Sequence, residues 1–202
     1  MHLPGGAPRP ITLYGTPVLH RPCAAVVRFD AELRVLVADL FASMAAAEGV
    51  GLAANQIGVD ARVFVYDCPD ADGVRHVGYV VNPVLEVLGT TRSAFARRDA
   101  VVADLEGCLS IPTQYATLAR PARARVTGVD VDGRPVAVAG TGTLSRCLQH
   151  EYDHLEGTVF VDRLDEEGRR QVLTAHERLA AAGGLPPWSA GGSAGAAGYR
   201  NA

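Results

Sequence analysis

Several features that would place this chain in a familiar class are missing from its sequence. No two cysteines form a CxxC pair, and the four cysteines, Cys23, Cys68, Cys108 and Cys147, lie far apart. This spacing excludes a zinc ribbon or a thioredoxin-type motif, and it is unlike the compact disulfide framework of a small secreted domain. We therefore expect a reducing, cytoplasmic setting, in which a cysteine is a small core residue, a metal ligand or a nucleophile.

Long apolar runs and blocks of basic charge are also absent. No uninterrupted apolar segment is long enough to cross a bilayer, and the proline-rich first dozen residues lack the apolar stretch of a signal peptide. The net charge is −3, and no long run of basic residues occurs. The charge therefore gives no support to direct binding of nucleic acid or of an anionic membrane.

The length and hydrophobic content of the chain are sufficient for one folded domain. A chain of 202 residues with 48% hydrophobic content can bury a single sizeable core. We expect this domain to span 12–183, after a flexible proline-rich extension over 1–11. The Gly/Ala/Ser-rich segment 184–202 cannot bury enough apolar surface to order itself, so it is predicted to be a flexible tail.

Hydrophobic periodicity predicts both helices and strands within this domain. Helices are expected over about 30–48, 144–155 and 165–183, and strands over 62–66, 76–88 and the two halves of a hairpin in 123–138. The expected fold class is therefore α+β. Antiparallel sheets would pack around a central helix, flanked by an N-terminal helix and a C-terminal helix.

The central helix carries the HExxH pattern, from His150 through Glu151 to His154. At about 100° per residue, histidines four positions apart lie on one helix face, about 40° apart around the axis. Such a pair suits a divalent cation, with the Glu151 carboxylate beside it. A solvated helix face is the competing interpretation, because three fixed residues in five also arise by chance.

A catalytic zinc-type site needs a third protein ligand and one position for water. A metzincin would place a third histidine six residues after His154, but Phe160 occupies that position. A thermolysin-like enzyme would use a later glutamate, and the thiolate of Cys108 is the remaining option. The residues alone leave both of these open; the candidate glutamates are Glu166, Glu167 and Glu177.

Three segments taken together resemble the signature motifs of the peptide deformylase family. They are GVGLAANQ over 49–56, EGCLS over 106–110 and HEYDH over 150–154. They occur in the family's order and at similar separations. No one motif is specific alone, whereas the combination is highly specific. The resemblance covers roughly Thr12 to Leu179.

The resemblance implies a metal-dependent hydrolase that removes the formyl group from the N-terminal formylmethionine of nascent polypeptides and releases formate. It assigns one divalent cation per chain to Cys108, His150 and His154. The metal is usually Fe(II) in this family, with Zn(II) or Ni(II) able to replace it. Nothing in the sequence chooses among them, because cysteine and histidine suit several transition metals.

The resemblance also assigns the remaining chemical roles. Glu151 becomes the general acid and base. The side-chain amide of Gln56 and the backbone N–H of Leu109 become donors to the developing oxyanion.

A methionine side chain requires an apolar pocket, for which Val50, Leu109 and Cys147 are candidates. The backbone of Gly49, Val50 and Gly51 is expected to pair with the extended peptide as an added strand. Tyr115 is expected to close the groove. Arg146 departs from a purely apolar lining, and it either pairs with an acid or borders the pocket mouth.

Two other hypotheses remain to be tested. One is a zinc endopeptidase that uses HExxH and a downstream glutamate. The other is a relative that has lost catalysis and only binds peptides or ribosomes, although every chemical residue needed is present. For the deformylase hypothesis the expected partners are formylmethionyl nascent chains and the ribosome near its exit tunnel.

Overall fold

The computed structural model describes residues 5–87 and 101–189. Within these residues the chain forms three α-helices and seven β-strands. In chain order they are α1 (Ala31–Ala46), β1 (Gly51–Ala53), β2 (Val63–Pro69), β3 (Arg75–Val87), β4 (Val101–Cys108), β5 (Ile111–Pro121), β6 (Arg123–Val129), β7 (Pro135–Thr141), α2 (Gly142–Leu155) and α3 (Glu166–Ala181).

The strands form two antiparallel sheets, as expected for the α+β class. The larger sheet has the order β1-β2-β3-β6-β7, and the smaller one consists of β4 and β5. The predicted hairpin is the β6–β7 connection, which is closed by the Asp130 N–H donating to the Arg134 carbonyl at 2.8 Å. The predicted helices correspond to α1, α2 and α3.

The larger sheet is covered by a helix on each face, and β2 shows why. Alternate side chains of a strand point to opposite faces. Val63 and Val65 pack in the core cluster that contains residues of α1, whereas Phe64 and Tyr66 pack in the cluster that contains Leu144 and Leu148 of α2. Burial on both faces explains the continuous apolar run in β2, and it puts the HExxH helix at the centre of the fold.

Helix α1 begins as predicted, because the Asp30 carboxylate accepts hydrogen bonds from the N–H groups of Glu32 and Leu33. It ends at Ala46, two residues before the predicted end. Glu48 takes a positive φ of 54°, and the Gly49 N–H donates to the Met44 carbonyl at 2.9 Å. This turn leads the chain directly into β1.

Strand β3, predicted over 76–88, contains a local irregularity at Asn82-Pro83. The strand continues, but its register with β6 shifts between Val81 and Val84. Asn82 adopts a φ of 50°, and its side chain bonds both the N–H and the carbonyl of Val26 at 2.8 Å. Proline cannot donate to the ladder, so the bulge accommodates it. Leu88, the predicted last residue of this strand, lies outside the described residues.

Residues near both predicted domain boundaries make contacts. The Arg9 N–H donates to Ser43 Oγ of α1 at 2.8 Å, and the Ile11 N–H donates to the Trp188 carbonyl at 2.9 Å. The division at 11/12 and 183/184 stays a prediction. In the described part of the chain, none of the helices has the length and apolar character needed to span a membrane.

Candidate metal centre

Helix α2 presents His150 and His154 on one face, with ring centroids 4.9 Å apart. The helix is fixed by Leu144, Leu148 and Leu155, which are fully buried. Phe160, which occupies the metzincin histidine position, is buried and stacks at 6.4 Å from the His150 ring. The pair of imidazoles is therefore buried, so the competing interpretation of a solvated helix face is wrong.

Strand β4 places Cys108 beside the two histidines. The pairing with β5 shifts register between Gly107 and Cys108, so the strand ends in an irregular turn at the cysteine. Cys108 Sγ lies 3.1 Å from His154 Nε2. The ligand atoms of the cysteine and both histidines lie within 4.8 Å of one another, which allows one cation to contact all three.

The alternative third ligands are elsewhere. Glu166, Glu167 and Glu177 are exposed residues of α3. Among residues 5–87 and 101–189, Cys108 and the two histidines form the only group of three or more potential ligands whose donor atoms lie close enough together to bind one ion. The geometry therefore gives no support to an endopeptidase with a glutamate ligand.

Each imidazole has one nitrogen directed toward the cluster. His150 Nδ1 lies 2.7 Å from Glu106 Oε1, which leaves Nε2 for a cation. Burial lowers the pKa of His154 well below its ordinary value, so this imidazole stays neutral, as a ligand must. A thiolate and two imidazoles form a donor set that fits Fe(II), Zn(II) or Ni(II).

Glu106 is held in a buried network of cations. Its carboxylate accepts hydrogen bonds from Arg120 at 2.6 and 2.8 Å and from Arg146 at 2.8 Å. Burial by itself would raise the pKa of Glu106, but the hydrogen bonds and charges of Arg120 and His150 hold it well below its ordinary value. The carboxylate that orients His150 is therefore ionised and fixed.

Sequence reasoning missed part of this network. Arg120 also donates to Asp153 Oδ2 at 2.8 Å, so Asp153 pairs with arginines, including Arg163, and not with an imidazole. Arg120 and Leu118 alternate along β5 as buried side chains, and an arginine at an inward position of a strand requires a buried acid. Such an arginine indicates a buried acid but not which one, and the structure shows that it is Glu106. Arg146 both pairs with this acid and lines the cavity described below.

Glu151 is buried and lies next to Gly51. Among the residues that the structure describes, its Oε2 atom has no hydrogen-bond partner, and burial raises the pKa of the carboxyl to about 7. A buried carboxylate oxygen that lacks a partner is costly unless a ligand, water or ion meets it. This atom is thus suited to exchange a proton with a group entering the site.

Gln56 lies in a short 3-10 helix over Ala54–Ile57, directly after β1. Its Oε1 accepts the Ala53 N–H at 2.8 Å, which turns Nε2 toward Ser110 Oγ at 3.3 Å and Cys108 Sγ at 3.6 Å. The adjacent Asn55 donates to the His154 carbonyl at 2.6 Å. The GVGLAANQ segment therefore packs directly against the other two motifs.

A cavity of about 490 Å³ opens onto this cluster. Its lining includes Cys108, His150 and Glu151 together with both predicted oxyanion donors and all five predicted substrate-binding residues; these seven are Gln56, Leu109, Gly49, Val50, Gly51, Cys147 and Tyr115. His154 is fully buried behind them. A larger groove of about 620 Å³ between β5 and α3 is lined by none of the three candidate ligands.

Comparisons with known proteins identify relatives of this chain. The family described as polypeptide deformylase matches residues 8–170. Peptide deformylase 1 of Streptomyces avermitilis is 56% identical over 168 residues, covering 83% of this chain and 75% of that protein. Peptide deformylase of Acidothermus cellulolyticus is 47% identical over 169 residues, covering 84% of this chain and 86% of that protein.

Solved structures give the same result. The crystal structure of a peptide deformylase from Legionella pneumophila matches with a TM-score of 0.75 at 34% identity, covering 90% of this chain and 100% of that one. The crystal structure of peptide deformylase from Thermus thermophilus matches with a TM-score of 0.70 at 38% identity, covering 86% of this chain and 96% of that one.

Proposed function

This chain belongs to the polypeptide deformylase family, and from that membership we propose how its own residues carry out the reaction. The enzyme is a metallohydrolase that removes the formyl group from the amino terminus of nascent polypeptides and releases formate. The observation that carries the residue assignment is the convergence of Cys108, His150 and His154, from two distant segments, within 4.8 Å.

Cys108, His150 and His154 would hold the divalent cation, and Glu106 would orient His150 by accepting a hydrogen bond from its Nδ1–H. When bound, such a cation lowers the pKa of a coordinated water to about 7 and polarises the carbonyl of the substrate. The Arg120 and Arg146 guanidinium groups would keep Glu106 ionised and in place.

Glu151 would transfer a proton from the attacking water to the leaving nitrogen. Its buried, unpartnered oxygen accepts a proton as water attacks the formyl carbon, and the same carboxyl delivers the proton to the leaving nitrogen when the C–N bond breaks. Gln56 Nε2 and the Leu109 N–H would donate hydrogen bonds to the formyl oxygen as it gains negative charge. The products are formate and a free amino terminus.

The peptide would bind along the cavity with its methionine side chain against Val50, Leu109 and Cys147. Backbone groups of Gly49, Val50 and Gly51 would pair with the extended chain, and Tyr115, which is 67% exposed, would cover it. The Cys147 thiol donates to the Val50 carbonyl at 3.4 Å, which links the helix to this segment.

The activity itself is tested by measuring formate released from formyl-Met-Ala. We expect turnover of this peptide and no deacylation of acetyl-Met-Ala, because the acetyl methyl group must fit where Gly51, Gln56 and Glu151 already enclose the reacting carbon. Equal rates on the two peptides would contradict the proposed positions of these residues. Cleavage of the Met-Ala bond would instead support the endopeptidase hypothesis.

Gly51 gives a test of the space around Glu151. A Cβ atom at position 51 would lie 2.7 Å from Cys147 Sγ and closer still to Glu151 Oε1. We expect Gly51→Ala to displace the carboxylate and to lower kcat/KM for formyl-Met-Ala about 100-fold while the metal content is retained. The matched control is Gly5→Ala, whose added methyl group meets nothing within 4 Å. Full activity in Gly51→Ala would show that Glu151 is not held at this position.

We further propose that Fe(II) is the metal in the cell. A thiolate beside a redox-active ion is open to oxidation, so purification in air without catalase should lower activity in step with iron content. Replacement by Ni(II) should restore activity that persists in air. Activity that is indifferent to oxygen and to metal exchange would contradict the iron assignment and leave Zn(II) as the alternative.

The site of action would be the cytoplasm, on chains emerging from the ribosome. Contact with the ribosome near its exit tunnel is tested by cosedimentation of the metal-loaded enzyme with ribosomes at low salt. Absence of cosedimentation would indicate that the enzyme meets free nascent chains without docking.

A further inference from the structure

The only tryptophan of the chain, Trp188, lines the same cavity as Cys108, His150 and Glu151. It lies in a short 3-10 turn, Pro187–Ser189, that follows α3. None of the three signature motifs includes it, and it falls within the predicted tail over 184–202. The fold nevertheless brings its side chain to the substrate cavity.

This turn is firmly attached. Ser189 is fully buried, and both its N–H and its hydroxyl donate to the Pro186 carbonyl, at 2.9 and 2.7 Å. The Trp188 carbonyl accepts the Ile11 N–H at 2.9 Å, and the next residue, Thr12, donates its N–H to the Gln56 carbonyl at 2.7 Å. Two consecutive backbone bonds therefore connect the tryptophan to the predicted oxyanion donor.

The indole itself is half-buried. It packs against the core cluster that contains residues of α1, where Leu109 is another partly buried member. Trp188 is at the same time one of the residues that line the cavity. An aromatic ring that is fixed on one side and open on the other offers a large apolar contact area at little entropic cost.

We propose that Trp188 forms part of the binding wall for the peptide residues that follow formylmethionine, and that it favours an apolar side chain there. The inference rests on the proposed function. The formyl end must lie at Cys108, His150 and Glu151, and the methionine side chain lies against Val50 and Cys147. The rest of the cavity wall, which includes Tyr115 and Trp188, is left for the residues further along the peptide.

The first experiment compares kcat/KM of the metal-loaded enzyme for formyl-Met-Ala-Leu with that for formyl-Met amide. We expect this ratio to fall about ten-fold in Trp188→Ala, the loss expected for a contact of roughly 50 Å² or more between the indole and a leucine side chain. Trp188→Phe should recover most of the ratio. Phe29→Ala removes an aromatic residue that is 40% exposed and does not line the cavity, so its ratio should equal that of the wild type.

A purely structural role for Trp188 would lower both rates together and leave the ratio unchanged, which would overturn the proposal. Failure of the wild-type enzyme to release formate from either substrate would instead contradict the proposed function.

A second measurement uses the single tryptophan as its own reporter. In metal-loaded Glu151→Gln, which should bind peptide with little turnover, formyl-Met-Ala-Leu should change the tryptophan emission with a saturable dependence on concentration. Formyl-Met amide should produce a much smaller change. Equal changes with both ligands, or no change at saturating formyl-Met-Ala-Leu, would overturn the proposal.

Discussion

Glu151→Gln should lower turnover of formyl-Met-Ala about 1,000-fold while the protein keeps its full complement of metal. Glutamine has nearly the same shape as glutamate but cannot accept or deliver the proton during attack and C–N cleavage. The proposed ligands are Cys108, His150 and His154, so the cation does not depend on this carboxylate. Formate release and metal content per chain measure the two halves of the prediction.

The folded state should tolerate this change. The Glu151 carboxyl is buried, burial raises its pKa to about 7, and no group of the described residues forms a hydrogen bond with its Oε2 atom. Replacing it by a neutral amide removes the cost of burying a charge, so the thermal midpoint should not fall. Glu177→Gln, an exposed glutamate of α3, is the control and should retain full activity. Loss of metal in Glu151→Gln would show that the carboxylate is a ligand.

Cys108→Ser should abolish metal binding under conditions in which the wild type is loaded, and activity should disappear with the metal. The thiolate is the only sulfur donor of the cluster, and a serine hydroxyl is a far weaker ligand for Fe(II), Zn(II) or Ni(II). Two histidines on one helix face hold such an ion poorly by themselves. The measurement is metal content after dialysis, together with formate release before and after adding metal.

Cys23→Ala is the matched control for loss of a thiol. Cys23 is buried in the cluster beneath α2, and burial, aided by Asp60, raises the pKa of its thiol to about 12, so it stays protonated. This variant should keep the metal. If Cys108→Ser retained the metal and cleaved peptide bonds, a glutamate would have to serve as the third ligand and the deformylase assignment of these residues would be wrong.

The three motifs were sufficient to predict the chemistry. HExxH, with histidines four residues apart, places two imidazoles on one face whenever the segment is helical, because that relation depends only on helix geometry. The apolar periodicity of α1 and α2 likewise predicted these helices from local rules. The runs around β2 and β3 predicted strands, although their ends differed by a few residues.

The partners of the ligands were not predictable in the same way. Arg120 is 14 residues from Glu106, and the two meet only because β4 and β5 pair in antiparallel register. Trp188 reaches the cavity because the chain after α3 turns back to the core. No local sequence pattern predicts this turn. Such contacts depend on how strands and helices pack, so the distance between two residues along the sequence does not predict them.

The sequence by itself predicted the family, through the combination of its three motifs, and the α+β class, through its apolar periodicity, and both predictions are confirmed. Only the tertiary structure shows that Cys108, and none of the three candidate glutamates, lies beside the two histidines. Strand register and helix burial bring the sulfur atom to the imidazoles and leave the glutamates in solvent. The same packing forces Glu106 and its arginines to be buried together, since a carboxylate enclosed beside His150 must be neutralised by cations from other strands and helices.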